Sequence, residues 1–232
     1  MILYIVIALI LCFLIYSVGA TWLYRTYSTK VMKKGRGHKQ IALTFDDGPH
    51  PLYTPQLLDL LDQYEMKATF FVVGAHAQKH PDLIRTMQAK GHSIGVHHHT
   101  HVSNWLLTPN GLKKQLTASR DALQKITGSR PVLYRPPWGH FNLFTPFVAK
   151  KWTIVMWTGI FGDWNLKTTS TVLVSRLQQS LEDGAIFCLH DNGETLGADE
   201  KAPEMMLEAL AVYLPYLVEQ GYKSVTIDTM LT

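Results

Sequence analysis

The sequence predicts an α/β protein whose mostly parallel sheet closes, or nearly closes, into a barrel behind an N-terminal apolar helix. Three observations carry this. From residue 40 onward, short runs rich in β-branched and aromatic residues alternate with longer segments of helical period. Seven or so such units in about 190 residues suit a barrel, with a doubly wound open sheet as the alternative. The first residues are set apart by composition, since Ile2 to Leu23 is almost wholly apolar and carries no charge.

That first run has 22 residues, enough to cross a bilayer as a helix. It is long for a signal core and no Lys or Arg precedes it. A retained anchor over residues 1–24 is therefore preferred to a signal peptide ending at Val18-Gly19-Ala20. Next comes a basic stretch, read as a spacer over 25–38. Residues 25–39 hold Arg25, Lys30, Lys33, Lys34, Arg36 and Lys39 and no acid. The chain has 22 Lys plus Arg and 18 Asp plus Glu, so removing those six leaves 16 against 18, a net −2 for the body. A body of that charge argues against nucleic acid as the main partner. The positive-inside rule, taken alone, would hold the body in the cytoplasm. The same charges could also form an outer-face spacer drawn to anionic lipid or wall polymer.

The body, residues 39–232, reads as one domain. Strands are expected at Ile41–Phe45, Ala68–Val73, Ser93–Val96, Val132–Tyr134, Thr153–Trp157, Ala185–Leu189 and Lys223–Thr226. Helices are expected at Pro55–Tyr64, Pro81–Lys90 and Pro109–Thr127, the last ended by Gly128, and near 168–182 and 202–219. The two cysteines, Cys12 in the anchor and Cys188 in IFCL, suggest no disulfide framework.

In a parallel α/β sheet the ligand site lies beyond the carboxyl ends of the strands. Polar residues collect there. Asp46 and Asp47 follow the first strand, His97, His98, His99 and His101 the third, Arg135 the fourth, Asp163 the fifth, and His190 the sixth. Adjacent carboxylates repel and are costly to bury without a positive partner. A divalent metal answers both: one Asp binds it, and the other takes a proton from a water that the metal acidifies. Two imidazoles complete a common Zn²⁺ set, supplied by His97 and His101 if the run turns helical or by His97 and His99 if it is extended. Arg135, in the rigid loop RPPWG, has the fork to fix a carboxylate. Trp138 and Trp164 either fill the core or stack on the apolar face of a sugar. His190 is a natural acid, with Asp163 placed to hold its tautomer and raise its pKa. His50, His76 and His80 read as surface residues, and His92 as a structural or solvent one.

These motifs, in this order, resemble carbohydrate esterase family 4, the NodB-homology polysaccharide deacetylases, from about residue 39 to 232. TFDDGP (44–49) is the most specific. The resemblance implies a distorted (β/α)7 barrel, Asp46 as general base, and Asp47, His97 and His101 as ligands of Zn²⁺ or a similar ion. It implies that Arg135 orients Asp46, that Asp163 supports His190, and that His190 is the general acid. Trp138, Trp164 and Leu189 are expected to contact substrate. Three positions depart from the family pattern: His98 stands for a hydroxyl residue that orders the metal loop, Ile160 for the first acid of the fourth motif, and Cys188 for the leucine of Leu-x-His. The implied activity is removal of N-acetyl groups from N-acetylglucosamine polymers, peptidoglycan or a chitin-like oligomer. The rivals are O-acetyl ester hydrolysis on the same fold and a non-catalytic glycan-binding membrane protein. The expected partners are a glycan and, through the N-terminal helix, the membrane. A single-pass monomer with its catalytic domain outside the cell is expected.

Overall fold

The computed structural model describes residues 1–232. Nine parallel strands make one sheet: β1 (Val31–Met32), β2 (Gln40–Asp46), β3 (Ala68–Val72), β4 (Ser93–Val96), β5 (Leu133–Tyr134), β6 (Thr153–Val155), β7 (Gly159–Ile160), β8 (Ile186–His190) and β9 (Lys223–Ser224). Their order is β1-β6-β5-β4-β3-β2-β8-β7, with β9 beside the start of β2. No ladder joins β7 to β1, so the parallel barrel is a distorted one, open on one side.

Strand β2 lies at the centre. From Ile41 to Asp46 it is buried on both faces, as a strand packed between barrel interior and outer helices must be. In register beside it, Phe45 meets Leu189 and Phe70, while Asp46 meets His190 and Phe71. The apolar faces of Tyr53–Gln63 and Ala202–Glu219 join Phe45, Phe70, Phe187 and Leu189 in the main core. Helix Pro109–Thr127 begins where Thr108 accepts Gly111 N–H at 3.2 Å and ends at Gly128, whose φ of 72° suits glycine.

The basic stretch is not a free spacer. Val31 is buried, and β1 pairs with β6 as an edge strand. Gly35 N–H donates to Gly184 O at 2.8 Å, and Lys34 pairs with Glu182 at 2.8 Å. Two apolar residues between lysines are too short a run to signal a strand. Three of the basic residues thus have local duties: Lys34 on Glu182, Lys33 on the carbonyl of Thr26, and Arg25 over the ring of Trp157. Their charge weighs correspondingly less as a signal of topology.

The N-terminal helix runs from Ile2 to Tyr27, past the expected end, and its halves differ. From Ile2 to Leu14 no residue is buried. Beyond it, Ser17, Ala20 and Thr21 are buried against the domain. A π-turn at Ile15–Gly19 makes this docking possible. Ala20 N–H reaches back to Ile15 O, which leaves Tyr16 O to accept Leu143 N–H. The Thr21 hydroxyl accepts from Phe141 N–H at 3.0 Å and Trp105 Nε1–H at 2.9 Å, and donates to Phe141 O.

Candidate active site

Asp46 ends β2, and Asp47 follows at φ 76°. Left-handed backbone is strained for a residue with a Cβ, and it recurs at His98, His101 and Trp138. All four belong to the loops above the strand ends. The turn at Asp47 sends the two adjacent carboxylates to different neighbours.

Asp46 Oδ1 accepts from Arg135 Nη1 at 2.7 Å. Arg135 is fully buried, and its remaining donors go to Thr44 Oγ1, Val155 O and Met156 O, with Phe71 under its plane at 4.1 Å. A guanidinium satisfied in this way has one orientation, so Asp46 does too. Asp46 Oδ2 stays on the cleft side, 3.9 Å from His97 Nε2 and 3.4 Å from Cys188 Sγ.

Asp47 turns to the imidazoles. Its Oδ1 lies 3.0 Å from His101 Nε2 and 3.3 Å from His97 Nε2. His97 Nδ1–H donates to Arg135 O at 2.8 Å, which fixes the ring and turns Nε2 toward Asp47. Asp47 Oδ1 is buried without a hydrogen-bond partner, while Oδ2 accepts from Thr195. Burial would raise the Asp47 carboxyl, but the imidazoles of His101 and His97 outweigh it and hold it well below the usual range. An orphaned anionic oxygen facing two imidazole nitrogens, all ligand atoms within 4.8 Å, is a donor set for a cation. The residues fit a divalent metal, and one carboxylate with two imidazoles suits zinc. Of the two histidine pairs the sequence left open, 97 with 101 is the one brought together.

His190 Nδ1 lies 3.1 Å from Asp163 Oδ1, and Asp163 Oδ2 accepts His190 N–H. Burial alone would lower the imidazole, but Asp163 reverses this and raises it to about 9. That shift favours the protonated ring. Trp164 packs edge-on against it at 5.3 Å, and Trp138 lies on His101 at 4.3 Å. Both rings line a cleft of about 390 Å³, together with Asp46, Asp47, His97, His190 and Cys188. A second groove shares His101, Trp138, His140, Thr195 and Leu196 with it, so the depression runs on past the site.

One expected substrate contact falls elsewhere. Leu189 is fully buried in the main core, because side chains alternate along β8 and only Cys188 and His190 face the cleft. Cys188 and Ile160 do line the cleft, the latter 41% exposed. His98 is buried, with Nδ1 on Val102 O and Nε2 on the Tyr134 hydroxyl; burial pushes its pKa down to about 3. It ties the metal loop from both nitrogens. His76, read as surface, donates Nδ1–H to Asp47 O at 2.9 Å, and His92 is structural, its Nδ1 accepting Ala68 N–H. Thr195, Trp157, Leu196 and Arg25 were not anticipated as cleft residues. No local pattern marks them.

Comparison with known proteins agrees with this geometry. Residues 33–157 match the polysaccharide deacetylase family model. A peptidoglycan-N-acetylglucosamine deacetylase of Bacillus cereus is 34% identical over 83% of this chain and 88% of its own. PdaC of Bacillus subtilis, a peptidoglycan-N-acetylmuramic acid deacetylase, is 34% identical over 83% of this chain, which spans only 38% of that longer protein. A crystal structure of a peptidoglycan N-acetylglucosamine deacetylase superposes with a TM-score of 0.80 at 26% identity, covering 90% of this chain and 94% of the other. The chain belongs to the polysaccharide deacetylase family, hydrolases of carbon–nitrogen bonds other than peptide bonds.

Proposed function

We propose that this protein is a membrane-anchored, zinc-dependent enzyme that removes N-acetyl groups from an N-acetylglucosamine-containing cell-wall polysaccharide, peptidoglycan or a chitin-like oligomer. The observation that carries the reading is the division of labour around the cleft. Asp46 is held by Arg135, Asp47 faces the Nε2 atoms of His97 and His101, and His190, its pKa raised by Asp163, lies beside Asp46.

Asp47, His97 and His101 would hold the ion. A divalent ion there supplies charge to polarise the acetyl carbonyl and acidify a water. The free Asp46 oxygen takes the proton of the attacking water as its oxygen bonds to the acetyl carbon. His190 gives its proton to the sugar nitrogen as the carbon–nitrogen bond breaks, releasing acetate and a free amine. Asp163 keeps the imidazole charged and aimed. Trp138 and Trp164, both lining the cleft, contact the sugar, and the groove beyond it suits further units of a chain.

Anchoring rests on the bare half of the helix. Thirteen residues from Ile2 to Leu14 are apolar and none is buried, which in water would leave a large exposed apolar surface. Retention rests on the docked half, since cleavage after Ala20 would remove Ser17 and Ala20 from their packing. An outward-facing domain close to the membrane follows from the substrate assigned, and we propose that it acts as a monomer.

The test is acetate release by the full chain in detergent, stripped of metal and then given Zn²⁺, with N-acetylglucosamine oligomers and peptidoglycan side by side. Zinc-dependent acetate is expected. A folded, zinc-loaded protein releasing none from either would sink the reading.

A further inference from the structure

The last turn of the N-terminal helix reaches the catalytic cleft. Arg25 lines it together with Asp46, His97, Trp138 and His190. Its guanidinium lies 5.0 Å over the ring of Trp157, and it makes no hydrogen bond or ion pair. Arg135 differs: fully buried behind Asp46, it spends its donors on Asp46, Thr44 and two carbonyls.

Every carboxylate at the cleft floor is already answered. Asp46 has Arg135, Asp163 has His190, and Asp47 has the imidazoles and the ion they fit. Arg25 is a fixed positive charge left without a counterpart. A guanidinium in a cleft with its fork free matches a planar or tetrahedral oxyanion.

The position of Arg25 along the helix narrows the source. The bare half, Ile2–Leu14, is the part free to enter lipid, about 20 Å of helix at 1.5 Å per residue, and the half that carries Arg25 stays docked on the domain. Arg25 is eleven residues beyond Leu14, about 16 Å along the axis, so the cleft it lines stands just outside the membrane that the bare half enters. This step rests on the anchor assignment above, and the substrate on the deacetylase assignment.

We propose that Arg25 forms an anion subsite, contributed by the anchor helix, that binds a carboxylate or phosphate on the glycan beside the N-acetylated sugar. A carboxylate would belong to an acidic sugar of the polymer. A phosphate would belong to the link between a glycan and its membrane lipid, which the depth of the cleft would put within reach.

The experiment compares wild type, Arg25→Gln and Arg25→Lys, as full chains in lipid vesicles, on three substrates. These are the neutral N-acetylglucosamine tetramer, an oligomer alternating N-acetylglucosamine with N-acetylmuramic acid, and N-acetylglucosamine carried on a polyprenyl phosphate. In Arg25→Gln, the ratio of kcat/KM on an anionic substrate to that on the tetramer should fall about tenfold, through KM, as loss of a charge-assisted hydrogen bond predicts. Arg25→Lys should recover part of it, and added salt should weaken wild type toward Arg25→Gln. The substrate that shows the fall identifies carboxylate or phosphate as the source. An unchanged ratio, whether activity drops equally on all three or on none, overturns the subsite and reduces Arg25 to packing on Trp157. If wild type released no acetate at all, calorimetric titration with the same muramic acid oligomer and tetramer would decide. Anion preference lost in Arg25→Gln would keep the subsite while the hydrolase assignment fell, and equal binding would reject it.

Discussion

The floor and the walls of the cleft are built by different means. The floor comes from strand ends. Asp46 and His190 are register partners on adjacent strands, and the chain supplies Asp47, His97 and Arg135 immediately after β2, β4 and β5. The ladder fixes their spacing, and each is held by a buried partner. The walls come from loops and from the N-terminal helix, as with Trp138 at φ 54°, Ile160, Leu196 at 82% exposed, and Arg25. The difference teaches where tolerance lies. Floor residues are coupled to one another and to the barrel, so replacing one disturbs chemistry. Wall residues touch substrate singly, so replacing one should alter affinity or choice of substrate.

The largest effect is expected at Asp46. Asp46→Asn keeps the shape and an acceptor for Arg135 but removes the base, so kcat should fall by about 10²–10⁴. Zinc content should be unchanged, because Asp47, His97 and His101 remain. A large loss of zinc in this variant would mean that the two carboxylates share the metal and the division of roles is wrong.

Asp163→Asn probes another part of the floor. The raised pKa of His190, about 9, is sustained by Asp163 against burial. In the proposed mechanism activity needs the protonated ring and is lost as pH rises through its pKa. Removing the carboxylate lowers that pKa, so the alkaline limb of the kcat/KM profile should move down by about 1–3 pH units. An unmoved limb would take the general acid role away from His190.

The same division explains what could be seen in the sequence. Floor residues were legible because a parallel strand ends in a place that topology dictates, and the polar residue after it has few other reasons to be there. The helix 109–127 was legible from its period and from Gly128, which ends it where expected. Leu189 was misplaced because the motif gives proximity in sequence, whereas the pleat decides which neighbour faces the cleft. The short edge strands β1 and β7 carry two residues each, too few for periodicity. Arg25 and the docking of residues 16–27 were invisible because an apolar run reads alike whether lipid or protein covers it. The one local hint was Thr21 amid that run, whose hydroxyl serves three partners.

Thr21 also separates stability from chemistry. Thr21→Val keeps the shape but leaves Trp105 Nε1–H and Phe141 N–H without their acceptor, at a cost of about 1–3 kcal/mol for each donor that stays buried. Thermal unfolding in detergent should show the loss, while kcat on a soluble oligomer at low temperature stays near wild type. Cutting the chain before residue 31 removes the whole docked segment and Arg25 with it. Such a fragment tests a weakened domain with an altered cleft wall.

The smallest effect belongs to Trp138. Its ring lies on His101 and forms part of both grooves, but it is 38% exposed and holds no reacting group. Trp138→Phe keeps an aromatic face of smaller area, so the loss should be about 0.5–1.5 kcal/mol of sugar contact. Stacking on a sugar ring is made in the ground state and the transition state alike. The loss should therefore appear as a KM raised about 2–10-fold on a tetramer, with kcat held. A fall in kcat with KM unchanged would place Trp138 in the floor's company, as a residue that aims His101, and would move the boundary between floor and wall to include it.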